Sequence, residues 1–306
     1  MSRETLNEAW LKRMRELNVT GMQGRRYHVT AAEYVRGFFA AFRRKSPGWV
    51  PVPTERSVAV VITAKNEEGT IASVVRQAER LIVDEIYVVV NGSTDRTFAR
   101  ARAAAKRAAV LHVPDPLGHD VGRAVGANLS QADIVLFLDG DIPIRAELLL
   151  PFIHAVSGGT DMALNNLEPY FGVFSRRDTV TMMKQFLNTA VGRPELAASS
   201  LTAVPHALSR HAIETLGPET LSVPPKAQAL GILRGLTISP VCSVNVIRTN
   251  KKRKQNRGNA SPVARLIVGD HVEAIRTACD IVGERTFFDD PLRKRHYAGG
   301  EGMCSG

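Results

Sequence analysis

Runs of apolar residues along the chain predict the strands of a buried sheet. Residues 134–138 (I-V-L-F-L) are continuously apolar, show no helical period and lie between polar residues, as a strand in the middle of a parallel sheet does. Similar β-branched runs occur at 57–63, 86–90 and 110–113. Stretches with helical periodicity separate these runs. The pattern therefore predicts an α/β fold with alternating strands and helices and right-handed crossovers.

The second half of the chain is less regular. Its patterns predict strands at 162–167 and 238–247 and helices at 180–190, 210–216 and 271–282. The apolar positions of the 180–190 helix, Phe186 among them, fall on one side of that helix, and we expect this side to face the core.

Residues 1–50 are predicted to form a helical extension ahead of the first strand. Trp10 and Met14 follow a helical spacing. Thr30 and Glu33 match a capping box, which predicts that a second helix begins at Thr30. We expect the aromatic side chains of this region to pack on the main domain. A homodimer contact and docking on a membrane are the alternatives.

The composition narrows the class of partner and the compartment. Forty Lys+Arg against thirty Asp+Glu give a net charge of +10, which favours an anionic partner such as nucleotide phosphates, nucleic acid or an acidic membrane surface. The three cysteines are widely spaced and form no C-x-x-C motif, so we expect free thiols in a reducing cytoplasm. The sequence shows no apolar segment of signal-peptide or membrane-spanning length, so we expect neither export nor a membrane span.

Two carboxylates directly follow the 134–138 strand. Asp139 and Asp141 are separated by Gly140, and residues two apart in an extended chain project to the same side. Two like charges held together repel unless a cation lies between them, and carboxylate oxygens suit Mg²⁺ or Mn²⁺. Open α/β sheets bind ligands at the carboxyl ends of their strands. The motif therefore predicts a metal site, with an ordinary acidic turn as the alternative.

Three motifs, taken in order, resemble those of family 2 glycosyltransferases of the GT-A fold. They are T-A-K-N-E-E at 63–68, V-V-N-G-S-T-D-R-T at 89–97 and F-L-D-G-D at 137–141. The resemblance implies a mostly parallel central sheet flanked by helices. It also implies a nucleotide-diphosphate sugar as donor, with a UDP-sugar first in line, and Mn²⁺ or Mg²⁺ as cofactor.

The resemblance assigns roles to particular residues. The residues implied to bind the nucleotide are Thr63, Ala64, Lys65, Asn66, Glu67, Asn91, Gly122, Arg123, Asp139 and Gly140. Asp141 and Asp139 are implied to act in catalysis by holding the metal. Asn91 replaces an aspartate that contacts uracil in the family, so the preferred base stays open.

The segment before the D-G-D strand is expected to contact the donor. In related enzymes a lysine in this loop contacts the nucleotide, and Arg123 is its substitute here, with a solvated arginine at a helix start as the alternative. His119 and Asp120 precede it and are candidates for closing over the donor.

The acceptor side departs from inverting members of the family. Residues 224–228 lack the acidic pair whose aspartate deprotonates the acceptor. This brings the chain closer to the retaining glucosyl-3-phosphoglycerate synthase type, in which a histidine after the late strand completes the metal shell. Residues 248–252 contain no histidine, which leaves His271 as the candidate third metal ligand. Asp270 is the candidate catalytic base if the reaction inverts, and both stereochemical outcomes stay open.

A basic run at 248–257 is the strongest charge feature of the sequence. The candidate contacts to a phosphorylated acceptor are Lys251, Lys252, Arg253 and His206. The run is equally consistent with a solvated loop, a lid over the donor, or a peripheral contact with anionic lipid.

The sequence therefore predicts four regions. They are a helical extension at 1–50, a nucleotide-sugar-binding half at 51–155, an acceptor-binding half at 156–298 with the basic loop, and a disordered tail at 299–306. The predicted activity is metal-dependent sugar transfer to an unknown, phosphorylated or lipid-linked acceptor.

The sequence leaves three alternatives to this activity. A sugar-nucleotide-forming nucleotidyltransferase would carry a glycine-rich G-x-G-T-R loop, which 63–68 lacks. A protein that binds nucleic acid or a membrane surface leaves the D-G-D pair unexplained, and only 6% of residues are aromatic, so no nucleic-acid partner is expected. A degenerate transferase that binds without turnover is the third.

Overall fold

The computed structural model describes residues 2–19, 21–22, 24–247 and 261–293. The helices are α1 (Arg3–Glu16), α2 (Gly24–Ala41), α3 (Ile71–Ala78), α4 (Thr97–Ala104), α5 (Val121–Leu129), α6 (Leu150–Ser157), α7 (Thr179–Ala190), α8 (Arg210–Leu216), α9 (Pro224–Leu233) and α10 (Pro262–Val282). The strands are β1 (Val58–Ala64), β2 (Glu85–Asn91), β3 (Ala109–Val113), β4 (Ile134–Asp139), β5 (Met162–Asn165), β6 (His206–Ser209) and β7 (Ile238–Cys242).

The seven strands form one sheet in the order β3-β2-β1-β4-β6-β5-β7. β3, β2, β1 and β4 are parallel neighbours, β6 runs antiparallel to β4 and β5, and β5 is parallel to β7. The predicted mostly parallel sheet flanked by helices is confirmed. Because β1, β2 and β4 are parallel, the three motifs that follow them lie at one edge of the sheet.

Alternate residues of the central strands face two separate layers. On β1, Val58, Val60 and Ile62 pack into the larger core with α3, α6 and the N-terminal helices. Ala59 and Val61 face the opposite core, which α5, α8 and α9 cover. Burial on both faces explains the unbroken apolar runs of the sequence.

The N-terminal helices pack against the sheet domain. Trp10 Nε1 donates to Tyr27 Oη at 2.8 Å, and that hydroxyl donates to the Pro51 carbonyl at 3.1 Å. The predicted capping box is wrong, because α2 begins at Gly24. Thr30 lies inside the helix, where its hydroxyl donates to the Arg26 carbonyl.

Three predictions in the second half need correction. β7 ends at Cys242, five residues before the predicted end, and α10 begins at Pro262, nine residues before the predicted start. The expected core side of α7 is confirmed at Leu187 and Ala190 but wrong at Phe186. Phe186 is 47% exposed, whereas the polar residues Lys184 and Asn188 are buried.

Several expectations stay predictions. The basic loop 248–257 and the tail 299–306 lie outside the described residues. The domain boundaries at residues 50 and 155 are likewise predictions. Across the described ranges, no helix has the length and apolarity to cross a membrane.

Candidate active site

The D-G-D turn is held against the end of β1. Asp139 is paired with Thr63 in the β1–β4 register, and the Thr63 hydroxyl donates to Asp139 Oδ1 at 3.3 Å. The Gly140 amide donates to the Thr63 carbonyl at 2.8 Å. A Cβ at Gly140 would lie 2.7 Å from the Ala64 Cβ, so only glycine allows this close approach. The two chain segments thereby fix where Asp139 leaves the sheet.

Arg123 is the central cation of the site. The sequence predicts Arg123 in the loop before the D-G-D strand, but the residue lies in the first turn of α5. Its side chain is 5% exposed and has three acidic or carbonyl neighbours. Nη2 donates to Asp139 Oδ1 at 3.2 Å, Nη1 donates to the Leu201 carbonyl at 3.0 Å, and Nε lies 3.3 Å from Asp120 Oδ1. Burial alone would lower the pKa of Arg123, but Asp120 and Asp139 outweigh it and raise the pKa.

Asp120 links this cation to the loop before α5. Its backbone adopts a left-handed conformation with φ of 60°, which is strained for a residue with a Cβ. Burial acts to raise the pKa of Asp120, but Arg123 and His119 prevail and lower it. The hydrogen bond to Asp120, at 2.8 Å, raises the pKa of the partly exposed His119. The loop therefore carries an ion-paired cluster directly beside Asp139.

Asn91 organises the same loop. Its Oδ1 accepts from the Leu117 amide and its Nδ2 donates to the Gly118 carbonyl, both at 2.8 Å. Both polar ends of this buried amide are therefore engaged with the backbone. Reading of the base by Asn91 stays a prediction, and the structure adds a role in holding residues 117–118.

The first two motifs are hydrogen-bonded to each other. Asn66, in a left-handed conformation, accepts from the Thr94 amide through Oδ1 at 2.8 Å. The Glu67 amide donates to the Thr97 hydroxyl at 2.6 Å. Ala64 and Glu67 are buried, whereas Lys65 is exposed. The motifs thus form one rigid edge beside the D-G-D turn, and their nucleotide contacts stay predictions.

A buried polar network behind Arg123 was missed by the sequence analysis. Gln228 on α9 accepts from the Leu201 amide at 2.8 Å and donates to Asn188 Oδ1 at 2.7 Å. Asn188 on α7 in turn donates to the Ala197 and Ser199 carbonyls. Since Leu201 accepts from Arg123, this network fixes the carbonyl that orients the guanidinium. The sequence pattern that indicates this network is the set of polar residues at positions 181, 184 and 188, which share one face of α7.

His206 lies in the interior beside Arg123. Its ring stacks on Phe137 with centroids 5.1 Å apart, and Nδ1 bonds the Ala203 carbonyl at 2.9 Å. Burial and the nearby Arg123 lower its pKa to about 3, so the ring is neutral. With 2% exposure, it presents almost no surface to an acceptor. Acceptor binding by His206 stays a prediction.

The sequence predicts His271 and Asp270 at the start of a helix, but they lie in the middle of α10. His271 is fully buried, its Nδ1 bonds the Ile267 carbonyl at 2.6 Å, and its Nε2 is buried without a hydrogen-bond partner. Burial, followed by Asp120, raises the pKa of Asp270, and His119 opposes this. Asp270 therefore lies within electrostatic range of the loop before α5.

The carboxylates at the end of β4 have the right chemistry for a hard divalent ion. Asp139 and Asp141 are both partly exposed and supply oxygen ligands from one turn. Among the residues with assigned positions, no group of three or more His, Cys, Asp or Glu side chains could hold a metal. The third ligand predicted at His271 is not part of such a cluster, and Lys251, Lys252 and Arg253 lie outside the described residues.

A mostly parallel sheet with paired motifs and a D-G-D turn at its edge defines a protein of the GT-A glycosyltransferase class. The model of the family "Glycosyl transferase family 2" matches residues 59–212, half of the chain, and the chain belongs to this family.

Individual relatives share part of their length with the chain. The glucosyl-3-phosphoglycerate synthase of Mycobacterium tuberculosis (strain CDC 1551 / Oshkosh) is 33% identical over 150 residues, which cover 41% of this chain and 46% of that enzyme. The 4,4'-diaponeurosporenoate glycosyltransferase of Staphylococcus haemolyticus is 24% identical over 165 residues, covering 52% of this chain and 43% of that enzyme. The chain thus spans about half the length of these curated relatives.

Solved structures share the fold. Glucosyl-3-phosphoglycerate synthase from Mycobacterium tuberculosis in complex with UDP superposes with a TM-score of 0.52 at 24% identity, covering 72% of this chain and 80% of that one. The same enzyme with Mn²⁺, UDP and phosphoglyceric acid gives a TM-score of 0.50 at 25% identity, covering 78% and 81%.

Proposed function

We propose that the protein transfers a sugar from a nucleotide-diphosphate sugar, with a UDP-sugar as the first choice, in a reaction that depends on Mn²⁺ or Mg²⁺. The acceptor is proposed to be a small phosphorylated molecule. The observation that carries the proposal is the D-G-D turn, anchored to Thr63 and paired with the buried Arg123. Family membership and the UDP and Mn²⁺ complexes of the solved relative support it.

The departing diphosphate is the group that needs stabilisation. Asp139 and Asp141 would hold the divalent ion, which supplies a Lewis acid for the charge that develops on the leaving group. Arg123 holds Asp139 in one orientation and adds fixed positive charge at the same edge. Because Arg123 is held by two hydrogen bonds and a second ion pair, to Asp120, it needs little reorganisation when the donor binds.

The remaining motif residues shape the donor site. Asn66 and Glu67 are hydrogen-bonded to residues 93–97, and Asn91 fixes the loop 117–118. We propose that the base and ribose lie against this edge. Asp270, whose pKa is raised, is the proposed base if the reaction inverts, because a carboxyl titrating closer to neutral pH accepts a hydroxyl proton more readily.

The proposal for the acceptor rests on the relatives and on charge. Relatives that are 33–37% identical are glucosyl-3-phosphoglycerate synthases, and the chain carries a net charge of +10. The cytoplasmic location, the membrane contact through the basic loop and the homodimer remain predictions.

A transfer assay tests this function. The native protein is incubated with Mn²⁺, phosphoglyceric acid and, in separate reactions, UDP-glucose, UDP-N-acetylglucosamine or GDP-mannose, and the nucleotide and glycoside products are measured by mass spectrometry. We expect UDP release and a hexosyl product with one UDP-sugar, lost on addition of EDTA. Release of UDP without a glycoside would support a UDP-sugar as the donor and exclude phosphoglyceric acid as the acceptor. No turnover with any donor would overturn the proposal.

A further inference from the structure

Lys184 is a buried cation that the proposed chemistry has not used. It lies on the inner side of α7, one turn before Asn188, and is 9% exposed. Long side chains on a helix lean toward its N-terminus, so the ammonium points back toward the start of α7. This places it on the acceptor half of the molecule.

The ammonium has no partner among the residues whose positions are assigned. It makes no hydrogen bond shorter than 3.5 Å and no ion pair shorter than 4.0 Å within those ranges. The charges that act on its pKa are Asp178, which raises it, and Arg123, which lowers it. The Asp178 carboxylate already accepts from the Thr181 amide at 2.7 Å and caps α7. Lys184 is therefore an uncompensated buried charge, which destabilises a fold unless something else requires it.

The surroundings explain why this charge can be held in place. Lys184 acts electrostatically on His271 of α10, whose Nδ1 bonds the Ile267 carbonyl. Its neutral Nε2 faces the interior as an acceptor without a partner. Asn188, one turn further along α7, is locked by Gln228 and two carbonyls. The backbone that carries Lys184 is thus rigid, while its ammonium keeps its donors available.

The position of Lys184 relative to Arg123 indicates what the charge is for. Arg123 already has Asp139 and Asp120 as ion-pair partners and bonds the Leu201 carbonyl. Lys184 lies within electrostatic range of Arg123 but has no such contacts. A second cation next to one whose charge is already paired fits an anionic group that arrives from the acceptor side.

We propose that Lys184 binds the anionic group of the acceptor, a phosphate or a carboxylate, and so makes the enzyme specific for charged acceptors. This inference rests on the proposed glycosyltransferase function. It assigns Lys184 a substrate contact that the three sequence motifs do not contain.

Replacement by methionine tests the proposal, because Lys184→Met keeps the length of the side chain and removes the charge. We expect the KM for phosphoglyceric acid to rise about tenfold or more, the loss of one charged hydrogen bond, while the Kd for UDP with Mn²⁺ stays unchanged. We also expect the Tm to rise by a few degrees, since an unpaired buried charge is removed. The matched control is Lys106→Met, an exposed lysine far along the sequence from the site.

Two further probes separate the possible anions. Glycerol phosphate carries only the phosphate, and glyceric acid carries only the carboxylate. The probe whose binding to the UDP- and Mn²⁺-loaded protein weakens in Lys184→Met identifies the group that Lys184 contacts. A lower Tm with an unchanged acceptor KM would overturn the proposal and make Lys184 a structural residue.

The pH profile gives a readout that a structural role would not change. Burial, opposed by Asp178 and reinforced by Arg123, lowers the pKa of Lys184 to about 8. The facing groups are Asp178 on its own helix, Arg123 on α5 and His271 on α10, and the pKa of His271 is about 4, so it stays neutral near pH 8. We expect kcat/KM for the acceptor to fall as the pH rises through about 8, and Lys184→Arg to move this fall to higher pH.

These measurements distinguish a failure of the proposed function from a failure of the inference about Lys184. If UDP does not bind to the native protein, the proposed function fails before Lys184 is tested. If UDP binds and sugar is transferred but Lys184→Met leaves the acceptor KM and its pH profile unchanged, only this inference fails.

Discussion

Arg123 is the residue on which the geometry of the candidate site depends. Its three nitrogens are shared among Asp139, Asp120 and the Leu201 carbonyl, so it connects the sheet edge, the loop before α5 and the segment after α7. A planar guanidinium can serve acceptors in several fixed directions, whereas a lysine ammonium cannot reach the same set. Two buried or half-buried carboxylates depend on this one cation.

Replacing Arg123 by methionine is expected to destabilise the protein by about 3 kcal/mol, because the buried Asp120 loses its guanidinium partner and keeps only the exposed His119. Urea unfolding followed by circular dichroism measures the change. The control, Arg102→Met on the exposed surface of α4, is expected to have a negligible effect.

The double variant Arg123→Met with Asp120→Asn removes the orphaned charge as well and is expected to recover part of the stability. Equal stability of the native protein and Arg123→Met would contradict the importance given to the ion pairs.

At the scale of elements, α7 and α9 position the site without touching its carboxylates. Gln228 on α9 connects Asn188 on α7 with the Leu201 amide. The region where inverting relatives carry an acidic pair therefore has a structural amide here. The Gln228 side chain therefore links the contact between α7 and α9 to the orientation of Arg123.

Gln228→Leu is expected to destabilise the protein by about 2 kcal/mol, because the Leu201 amide and the Asn188 oxygen lose a buried partner. The expected Kd for UDP also rises, since the Leu201 carbonyl no longer holds Arg123. Unfolding and calorimetric titration measure the two effects. Gln77 and Gln185 accept hydrogen bonds through their own side chains, so Gln131→Leu, at an exposed position before β4, serves as the control. A stable variant with native UDP affinity would argue against the linkage.

The elements also show which parts of the fold the sequence could predict. β1, β2 and β4 can be predicted directly from apolar runs, because a strand that is buried on both faces can be identified from its own sequence alone. The start of α10 was missed although the sequence marks it, with Ser261 as the cap and Pro262 at the first helical position. The inner side of α7 was predicted only in part, because it combines the apolar Leu187 and Ala190 with the polar Lys184 and Asn188, while Phe186 points outward. Only the packing of α7 against α9 and α10 settles that choice.

For the molecule as a whole, the donor half was more predictable than the acceptor half. The D-G-D turn, Asn66 and Asn91 are each adjacent in sequence to the strand that places them. Asn188 and Gln228 come together from distant segments, and neither spacing nor composition indicates their contact. Asn91 shows the same limit, because its two bonds to the 117–118 backbone became visible only in the fold.

The most direct test of the account is calorimetric titration of UDP into the native protein with and without Mn²⁺, repeated with Asp141→Ala. Asp280→Asn, an exposed acid on α10, is the control for loss of one negative charge. The account predicts binding that requires the metal, is lost in Asp141→Ala and is retained in Asp280→Asn. Binding that is the same with or without Mn²⁺, or that survives in Asp141→Ala, would contradict a metal-dependent donor site at the D-G-D turn.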